Sequence, residues 1–206
     1  MSADPLPTPV PVAPPATDRP ASAPVLNLAN YLTMARLALV PVFLALFFVD
    51  GAHSDGWRVA AWGAFAIASV TDRIDGDIAR RRGLVTDFGK VADPIADKAL
   101  TGAALVSLSL VGELPWWVTV VILTREIGVT LLRFWVIRIG VIAASRGGKL
   151  KTLLQGVGLG LYVLPLHGAL HEIAVVVMAA AIVVTLVTGG DYVLRALAVR
   201  RGGRPG

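Results

Sequence analysis

The amino-acid sequence predicts an all-α integral membrane protein with six transmembrane helices. The chain of 206 residues is 55% hydrophobic, and its mean hydropathy is +0.71, whereas soluble domains are usually about 45–50% apolar. The apolar residues are also gathered into six runs, each close to the roughly 20 residues that a helix needs to cross a bilayer. Positive charges between the runs alternate in a pattern that predicts the orientation.

The segment before the first apolar run differs from the rest of the chain. Residues 1–24 are dense in proline and alanine and contain no continuous apolar stretch. This composition predicts a disordered, partly polyproline cytoplasmic tail rather than a signal peptide, which has a basic start and an apolar centre. Residues 25–206 are expected to form one membrane domain. Two soluble domains of about 100 residues would fit the chain length, but the six apolar runs exclude them.

Polar connections separate the six expected membrane spans. The spans are residues 31–49, 57–79, 91–111, 115–137, 150–170 and 173–194. Lysine and arginine are concentrated in the second and fourth connections and after the last span, whereas the other connections carry mostly acidic residues. Because lysine and arginine favour cytoplasmic loops, we expect a multi-pass protein of the cell membrane with both termini and the second connection in the cytoplasm.

The composition also limits the chemistry. The chain contains no cysteine, which excludes disulfides, thiolate metal sites and thiol nucleophiles. Its formal net charge is +5 and its pI is near 10.1. In a chain this apolar, the positive charge indicates anionic lipid headgroups and phosphorylated substrates as partners, and not nucleic acid.

Four aspartates flank the second connection at helical spacings. Asp72 and Asp75 are three residues apart, and Asp93 and Asp97 are four apart. On helices these spacings place each pair on one face, so four carboxylates are expected to meet at the cytoplasmic edge of the membrane. Such a cluster repels itself strongly unless it is neutralised. Mg²⁺ or Mn²⁺ is the natural partner, because hard cations prefer carboxylate oxygens and recruit substrate phosphates.

Small residues and an arginine accompany the aspartates. Gly76 and Ala79 leave room for a ligand to approach the helix backbone, and Arg80 can present a planar fork to a phosphate. Gly89 permits a close turn or helix approach before the second pair. Arg81, Arg82 and Asp77 are interpreted as solvated loop charges. Together these residues predict an active-site cavity that faces the cytoplasm.

The stretch DRIDGDIARRRGLVTDFGKVADPIAD, residues 72–97, resembles the signature of the CDP-alcohol phosphotransferases, D-x2-D-G-x2-A-R-x8-G-x3-D-x3-D. All eight fixed positions match over 26 residues, and the six-span fold of that family would cover everything after the tail. The resemblance implies that an acceptor hydroxyl attacks the lipid-side phosphorus of a CDP-linked lipid, and that CMP leaves. It also implies a homodimer.

The resemblance further implies roles for individual residues. Two divalent ions, Mg²⁺ or Mn²⁺, would be held by Asp72, Asp75 and Asp93, with Asp97 completing the metal site or lying beside it. Asp97 would take the proton from the acceptor hydroxyl. The residues expected to line the nucleotide pocket are Gly76, Ala79, Arg80 and Thr86.

Stretches outside the signature bear on the acceptor. NLANYLTMAR (27–36), TREIGVTLLR (124–133), GKLKTLLQ (148–155) and TGGDYVLR (188–195) resemble the branch of the family that joins CDP-diacylglycerol to sn-glycerol 3-phosphate. In the first stretch, Ala29 stands where that branch usually has proline. Asn30 and Thr33 would either help to bind the CDP-lipid's nucleotide or cap a helix.

The basic residues expected to bind the acceptor phosphate are Arg125, Arg133, Lys149 and Lys151. Such a cluster suits a phosphate dianion; the alternative for the two lysines is anchoring at the cytoplasmic surface. Glu126, inside an apolar span, is either a structural partner for an arginine or a substrate contact. Asp191 is either the partner of an inner basic residue or part of the acceptor site.

Other functions fit the sequence less well. Within the same chemistry, the acceptor could be inositol phosphate, serine or phosphatidylglycerol, although the phosphate-binding candidates argue against serine. A divalent-cation transporter would also use intramembrane carboxylates, but transporters often have paired repeats and carboxylates near the midplane. Here no repeat is evident and the cluster lies at the edge. His53, His167 and His171 are expected on the outer side, away from the site.

Overall fold

A computed structural model describes the backbone of residues 28–82, 87–136 and 146–200, and the side chains of residues 31–72, 92, 94–132 and 147–197. Within these ranges the chain is helical apart from short turns, and no β-strand is present. The helices are α1 (Leu28–Phe48), α2 (Asp55–Arg82), α3 (Asp87–Leu110), α4 (Trp116–Val136), α5 (Arg146–Val163) and α6 (Ala169–Arg200), with a 3₁₀ turn at Val49–Ala52 after α1. The all-α prediction is therefore confirmed, whereas the predicted tail, residues 1–24, lies outside the described residues.

Each helix coincides with one of the predicted spans, but the fifth ends earlier than expected. The predicted span reached residue 170, whereas α5 ends at Val163. Pro165 accounts for the difference, because proline lacks a backbone N–H and disfavours the helical conformation at the residue before it. Gly168, with a φ of 59°, then turns the chain into α6, a conformation that glycine adopts readily.

Aromatic and aliphatic side chains form the core between the helices. Phe43 of α1 and Phe65 of α2 are almost fully buried, and their ring centroids are 6.1 Å apart, within the range of an aromatic contact. The largest interhelical contacts join α1 to α2 and α5 to α6, while α3 contacts α1, α4 and α5. Helix α2 also contacts α3 and α5, so α3 adjoins each of α2, α4 and α5.

Every helix exposes large apolar side chains. Examples, one from each helix in order, are Val42, Ile67, Leu110, Leu131, Leu153 and Val187. Two stretches in the described part of the chain, Tyr31–Ala52 and Ala169–Leu197, are long and apolar enough to cross a bilayer, and only 28% of an apolar 18-residue segment of each is buried. Exposed apolar surface of this extent favours contact with lipid over water. The six helices agree with the prediction, and the crossing of the membrane by all six stays a prediction.

A buried arginine links several helices at one end of the bundle. Arg58 of α2 pairs with Glu113, in the turn between α3 and α4, through two hydrogen bonds, one of them 2.7 Å long. It also donates to the carbonyl oxygens of Tyr162 at 2.7 Å and Val163 at 3.1 Å. These carbonyls lie in the last turn of α5, where no intrahelical donor reaches them. Arg58 therefore caps α5 and joins it to α2 and α3.

Candidate active site

A cavity of about 320 Å³ lies between α2, α3, α4 and α5, beside an arginine of α1. The charged side chains that line it, among those described, are Arg36, Asp72, Asp97, Lys98, Arg125, Glu126 and Lys151. Four of them, Asp72, Asp97, Arg125 and Lys151, are residues that the sequence predicts for the site. The fold thus gathers predicted metal, catalytic and acceptor residues around one space.

The acidic side of the cavity includes an ion pair between α1 and α2. Arg36, which is 1% exposed, donates from Nη1 to Oδ1 of Asp72 at 2.5 Å. Arg36 is absent from the predicted site residues, although it ends the NLANYLTMAR stretch. Thr33, one turn earlier on α1, is also buried but is not among the described residues that line the cavity. Its contact with the nucleotide stays a prediction.

Asp97 of α3 lines the same cavity as Asp72 of α2. Asp75 follows Asp72 by about one turn of α2, and Asp93 precedes Asp97 by about one turn of α3. The side chains of Asp75 and Asp93 lie outside the described set, within which no group of three acidic or histidine ligands occurs. Carboxylates from two helices at one cavity are nevertheless the donors that Mg²⁺ or Mn²⁺ prefers, so the residues fit the predicted metal.

Several predicted residues are placed by their helices alone. Gly76, Ala79 and Arg80 belong to the last turns of α2, Asn30 to the first turn of α1, and Arg133 to the last turn of α4. Their side chains are outside the described set, and Thr86 lies outside the described residues altogether. Their contacts with substrate stay predictions.

The opposite side of the cavity is basic and is organised around Glu126. Oε2 of Glu126 accepts a hydrogen bond from Lys98 Nζ at 3.1 Å, and Oε1 accepts one from Lys151 Nζ. Arg125 Nη1 lies 3.3 Å from Oε1. Since Lys98 belongs to α3 and Lys151 to α5, Glu126 joins three helices. It is thus a structural partner, of two lysines as well as an arginine.

Arg125 is held between α4 and α6. Its Nη2 donates to Oγ1 of Thr188 at 3.1 Å, and this hydroxyl donates its own proton to the Val184 carbonyl at 2.7 Å. A Cβ atom at Gly189 would lie 3.1 Å from Cγ of Arg125, so the absence of a side chain there lets the arginine pack against α6. Two residues of the TGGDYVLR stretch therefore position a predicted site residue.

The remaining predictions for the acceptor site are placed as follows. Lys151 is buried and lines the cavity, whereas Lys149 is exposed and is not among the described lining residues. Asp191 pairs with Arg195, one turn further along α6, at 3.0 Å on the exposed surface. Lys98 is a lining residue that the sequence reasoning missed. Its position directly after Asp97 is the signal that could have identified it.

The histidines lie at the other end of the bundle. His53, His167 and His171 line a second cavity, of about 540 Å³, together with Arg58 and Glu113. Arg58 and Asp72 are both in α2, and their separation in sequence corresponds to about 20 Å of helix. The histidines are therefore remote from the candidate site, in agreement with the expectation from the sequence.

A helical bundle in which the second and third helices bring the carboxylates of one signature to a common cavity is the arrangement expected of the CDP-alcohol phosphotransferases. The family model described as CDP-alcohol phosphatidyltransferase matches residues 26–187. The chain belongs to this family, which confirms the resemblance seen in the sequence.

Individual relatives within the family are also similar to this chain. A protein of Mycobacterium tuberculosis (strain H37Rv) named "Probable phosphatidylglycerophosphate synthase" is 62% identical over 175 residues, which cover 85% of this chain and 84% of the relative. A Bacillus subtilis (strain 168) protein named "CDP-diacylglycerol–glycerol-3-phosphate 3-phosphatidyltransferase" is 36% identical over 81% of this chain and 93% of the relative. A Rickettsia typhi protein with the same name is 38% identical over 81% and 94%, respectively.

Proposed function

We propose that this chain transfers a phosphatidyl group from CDP-diacylglycerol to sn-glycerol 3-phosphate, producing phosphatidylglycerophosphate and CMP. The observation that carries the proposal is one cavity with carboxylates on α2 and α3 and a cationic cluster across α3, α4 and α5. The carboxylates suit a metal-bound diphosphate, and the cations suit a second phosphate on the acceptor. The names of the relatives support the same reaction.

The proposed metal ligands are the four aspartates of the signature. Asp72, Asp75, Asp93 and Asp97 would hold two divalent ions, Mg²⁺ or Mn²⁺. Such ions neutralise charge on the diphosphate of the donor and so assist attack on its phosphorus. The ion pair between Arg36 and Asp72 fixes one of these carboxylates at the edge of the cavity.

Asp97 is the proposed base. Its carboxylate accepts the proton of the acceptor hydroxyl while the hydroxyl oxygen bonds to the lipid-side phosphorus. The bond between this phosphorus and the bridging oxygen of the diphosphate breaks, and CMP leaves with the electron pair. The residues proposed to bind the nucleotide are Asn30, Thr33, Gly76, Ala79, Arg80 and Thr86.

The acceptor phosphate is proposed to bind on the basic side. Arg125 and Lys151 are its described ligands, joined by Lys98, and the further ligands from the sequence are Arg133 and Lys149. The three described cations share one carboxylate, that of Glu126, so they keep a net positive charge after pairing. That charge attracts a phosphate dianion.

The proposed setting is the cell membrane, crossed six times by a homodimeric protein with the site and both termini in the cytoplasm. The exposed apolar side chains on every helix support insertion into a bilayer. The concentration of lysine and arginine in the second and fourth connections supports the orientation. A site at the cytoplasmic edge would meet the lipid-anchored donor and the water-soluble acceptor at the same place.

The direct test is CMP release by purified protein with CDP-diacylglycerol and Mg²⁺. We expect release to require glycerol 3-phosphate, to stop when EDTA removes the metal, and to vanish in Asp97→Asn, which cannot accept the proton. Inositol 1-phosphate and serine are the comparison acceptors. Release with one of these would contradict the assigned acceptor and keep the mechanism. No release with any acceptor, from folded protein that binds metal, would contradict the enzyme and favour cation transport.

A further inference from the structure

A buried glutamine lines the active-site cavity but has no role in the reaction proposed above. Gln155 of α5 is 4% exposed. It lines the cavity that holds Asp97 and the basic cluster, which consists of Lys98, Arg125 and Lys151. It follows Lys151 by four residues on the same helix, which places the two side chains on one face, one turn apart.

The amide oxygen of Gln155 has no hydrogen-bond donor in the described part of the chain. This atom, Oε1, is buried. A buried amide oxygen without a donor is destabilising relative to a hydrogen-bonded one, and native proteins keep few such atoms. A polar side chain in this state on the wall of a binding cavity indicates that a bound molecule supplies the donor.

The chemistry of the proposed acceptor provides that donor. Glycerol 3-phosphate carries a phosphate, a primary hydroxyl that reacts and a secondary hydroxyl that does not. The basic cluster and Asp97 account for the first two groups. A hydroxyl both donates and accepts hydrogen bonds, and a glutamine amide offers both an acceptor and donors, so the secondary hydroxyl and Gln155 are complementary.

We propose that Gln155 binds the non-reacting hydroxyl of the acceptor and so determines which acceptor is used; this inference rests on the proposed function. Asp97, the basic cluster and Gln155 then contact three different groups around one carbon atom of the acceptor. Three distinct contacts distinguish mirror images, because the enantiomer can satisfy only two of them at once. Gln155 is therefore a specificity residue for both the presence and the handedness of the secondary hydroxyl.

The test compares Gln155→Met, which keeps similar volume without the amide, with the native enzyme on three acceptors. These are sn-glycerol 3-phosphate, its enantiomer sn-glycerol 1-phosphate, and 3-hydroxypropyl phosphate, which lacks only the secondary hydroxyl. We expect Gln155→Met to lower kcat/KM for sn-glycerol 3-phosphate about 10-fold, the usual effect of one lost uncharged hydrogen bond. The value for 3-hydroxypropyl phosphate should change by less than about 2-fold, and the preference between enantiomers should shrink by a similar factor of about 10.

The thermal midpoint separates this role from a structural one. Replacing an unsatisfied buried oxygen by an apolar group should leave the midpoint of Gln155→Met unchanged or higher. Leu153→Ala, at an exposed position of the same helix, is the control for general damage to α5 and should keep the native acceptor preferences. Gln155→Asn, which keeps an amide with shorter reach, should retain part of the preference and provides a second variant if Gln155→Met does not fold.

Two results would overturn the proposal in different ways. If the native enzyme uses glycerol 3-phosphate but Gln155→Met loses kcat/KM equally on sn-glycerol 3-phosphate and 3-hydroxypropyl phosphate, the role of Gln155 alone would be overturned. Native enzyme that releases no CMP in response to glycerol 3-phosphate would overturn the proposed function, and this inference with it.

Discussion

At the scale of single residues, the cavity depends on one buried carboxylate that serves several cations. Glu126 is 9% exposed, and a charge at that depth is tolerated only when it is paired. Lys98 and Lys151 use different oxygens of the carboxylate and come from different helices. Glu126 therefore sets the distance between the two ammonium groups that are proposed to bind the acceptor phosphate.

Glu126→Gln tests this positioning role. The amide keeps one acceptor oxygen, so only one of the two lysines can be held and the other loses its partner. We expect the KM for glycerol 3-phosphate to rise about 10-fold while the KM for CDP-diacylglycerol changes less than about 2-fold. The free energy of unfolding should fall by about 2 kcal/mol, as for loss of a hydrogen bond to a charged group. Initial rates at varied concentrations of each substrate, with thermal unfolding in detergent, give both quantities.

The matched control for stability is Asp191→Asn. It makes the same change of carboxylate to amide, but in an exposed pair with Arg195 one turn away on α6. Exposed pairs of this kind contribute about 0–1 kcal/mol, so little loss of stability is expected. If Glu126→Gln raised the KM of both substrates equally, Glu126 would have no selective role at the acceptor side.

At the scale of helices, a close contact between α5 and α6 supports the wall that carries Lys151 and Gln155. A Cβ atom at Gly158 would lie 3.3 Å from Met178 Cε, 3.5 Å from its Cα and 3.6 Å from its backbone nitrogen. The methyl end of Met178 can move aside, but the backbone of α6 cannot. Gly158 therefore limits how large a residue α5 can present to α6.

Substitutions at Gly158 should show this limit. Gly158→Ala requires only a small shift of Met178, and we expect a change in stability of less than about 1 kcal/mol. Gly158→Leu must separate the helices and should lower the free energy of unfolding by about 1–3 kcal/mol. Gly63→Leu is the control, because a Cβ at Gly63 meets no atom within 4 Å. The free energy of unfolding is measured by thermal unfolding. A larger loss for Gly63→Leu than for Gly158→Leu would contradict the close packing of α5 on α6.

At the scale of the whole molecule, the two ends of the bundle differ in their charged groups. One end has the cavity of the candidate site, and the helices that line it lead along the sequence into the connections that are rich in lysine and arginine. At the other end Arg58 is paired with Glu113 and three histidines line the second cavity. This asymmetry is the physical basis of the proposed orientation, since lysine and arginine stay on the cytoplasmic side.

Single cysteines can test the orientation without background, because the chain has no cysteine of its own. In intact cells, a maleimide that does not cross membranes should label His167→Cys, which is exposed at the end of the bundle proposed to face outward. It should label Arg195→Cys, near the end of α6, only after the cells are opened. Labelling of both variants in intact cells would contradict the cytoplasmic placement of the site.

Much of the fold and part of the site follow from local patterns. The lengths of the apolar runs placed all six helices, and the spacing of Asp72 and Asp97 within their signature identified two residues that line one cavity. The end of α5 was misjudged because hydropathy alone does not register the effect of Pro165 on the backbone. The contacts of Arg36 and Lys98 were missed because a single basic residue beside an apolar span looks like a surface anchor until its partner is known.

The class of chemistry could be read from the sequence, because carboxylates at helical spacing and their signature are short-range features that each helix carries with it. Which charged side chains contact one another became clear only from the packing of the helices. Arg58 caps α5 at the end of the bundle opposite the candidate site, whereas Arg36 pairs with Asp72 at the cavity. The residues next to each arginine in the sequence do not distinguish these two roles. Ion pairing depends on the distance between atoms, and for residues on different helices that distance is set by how the helices pack.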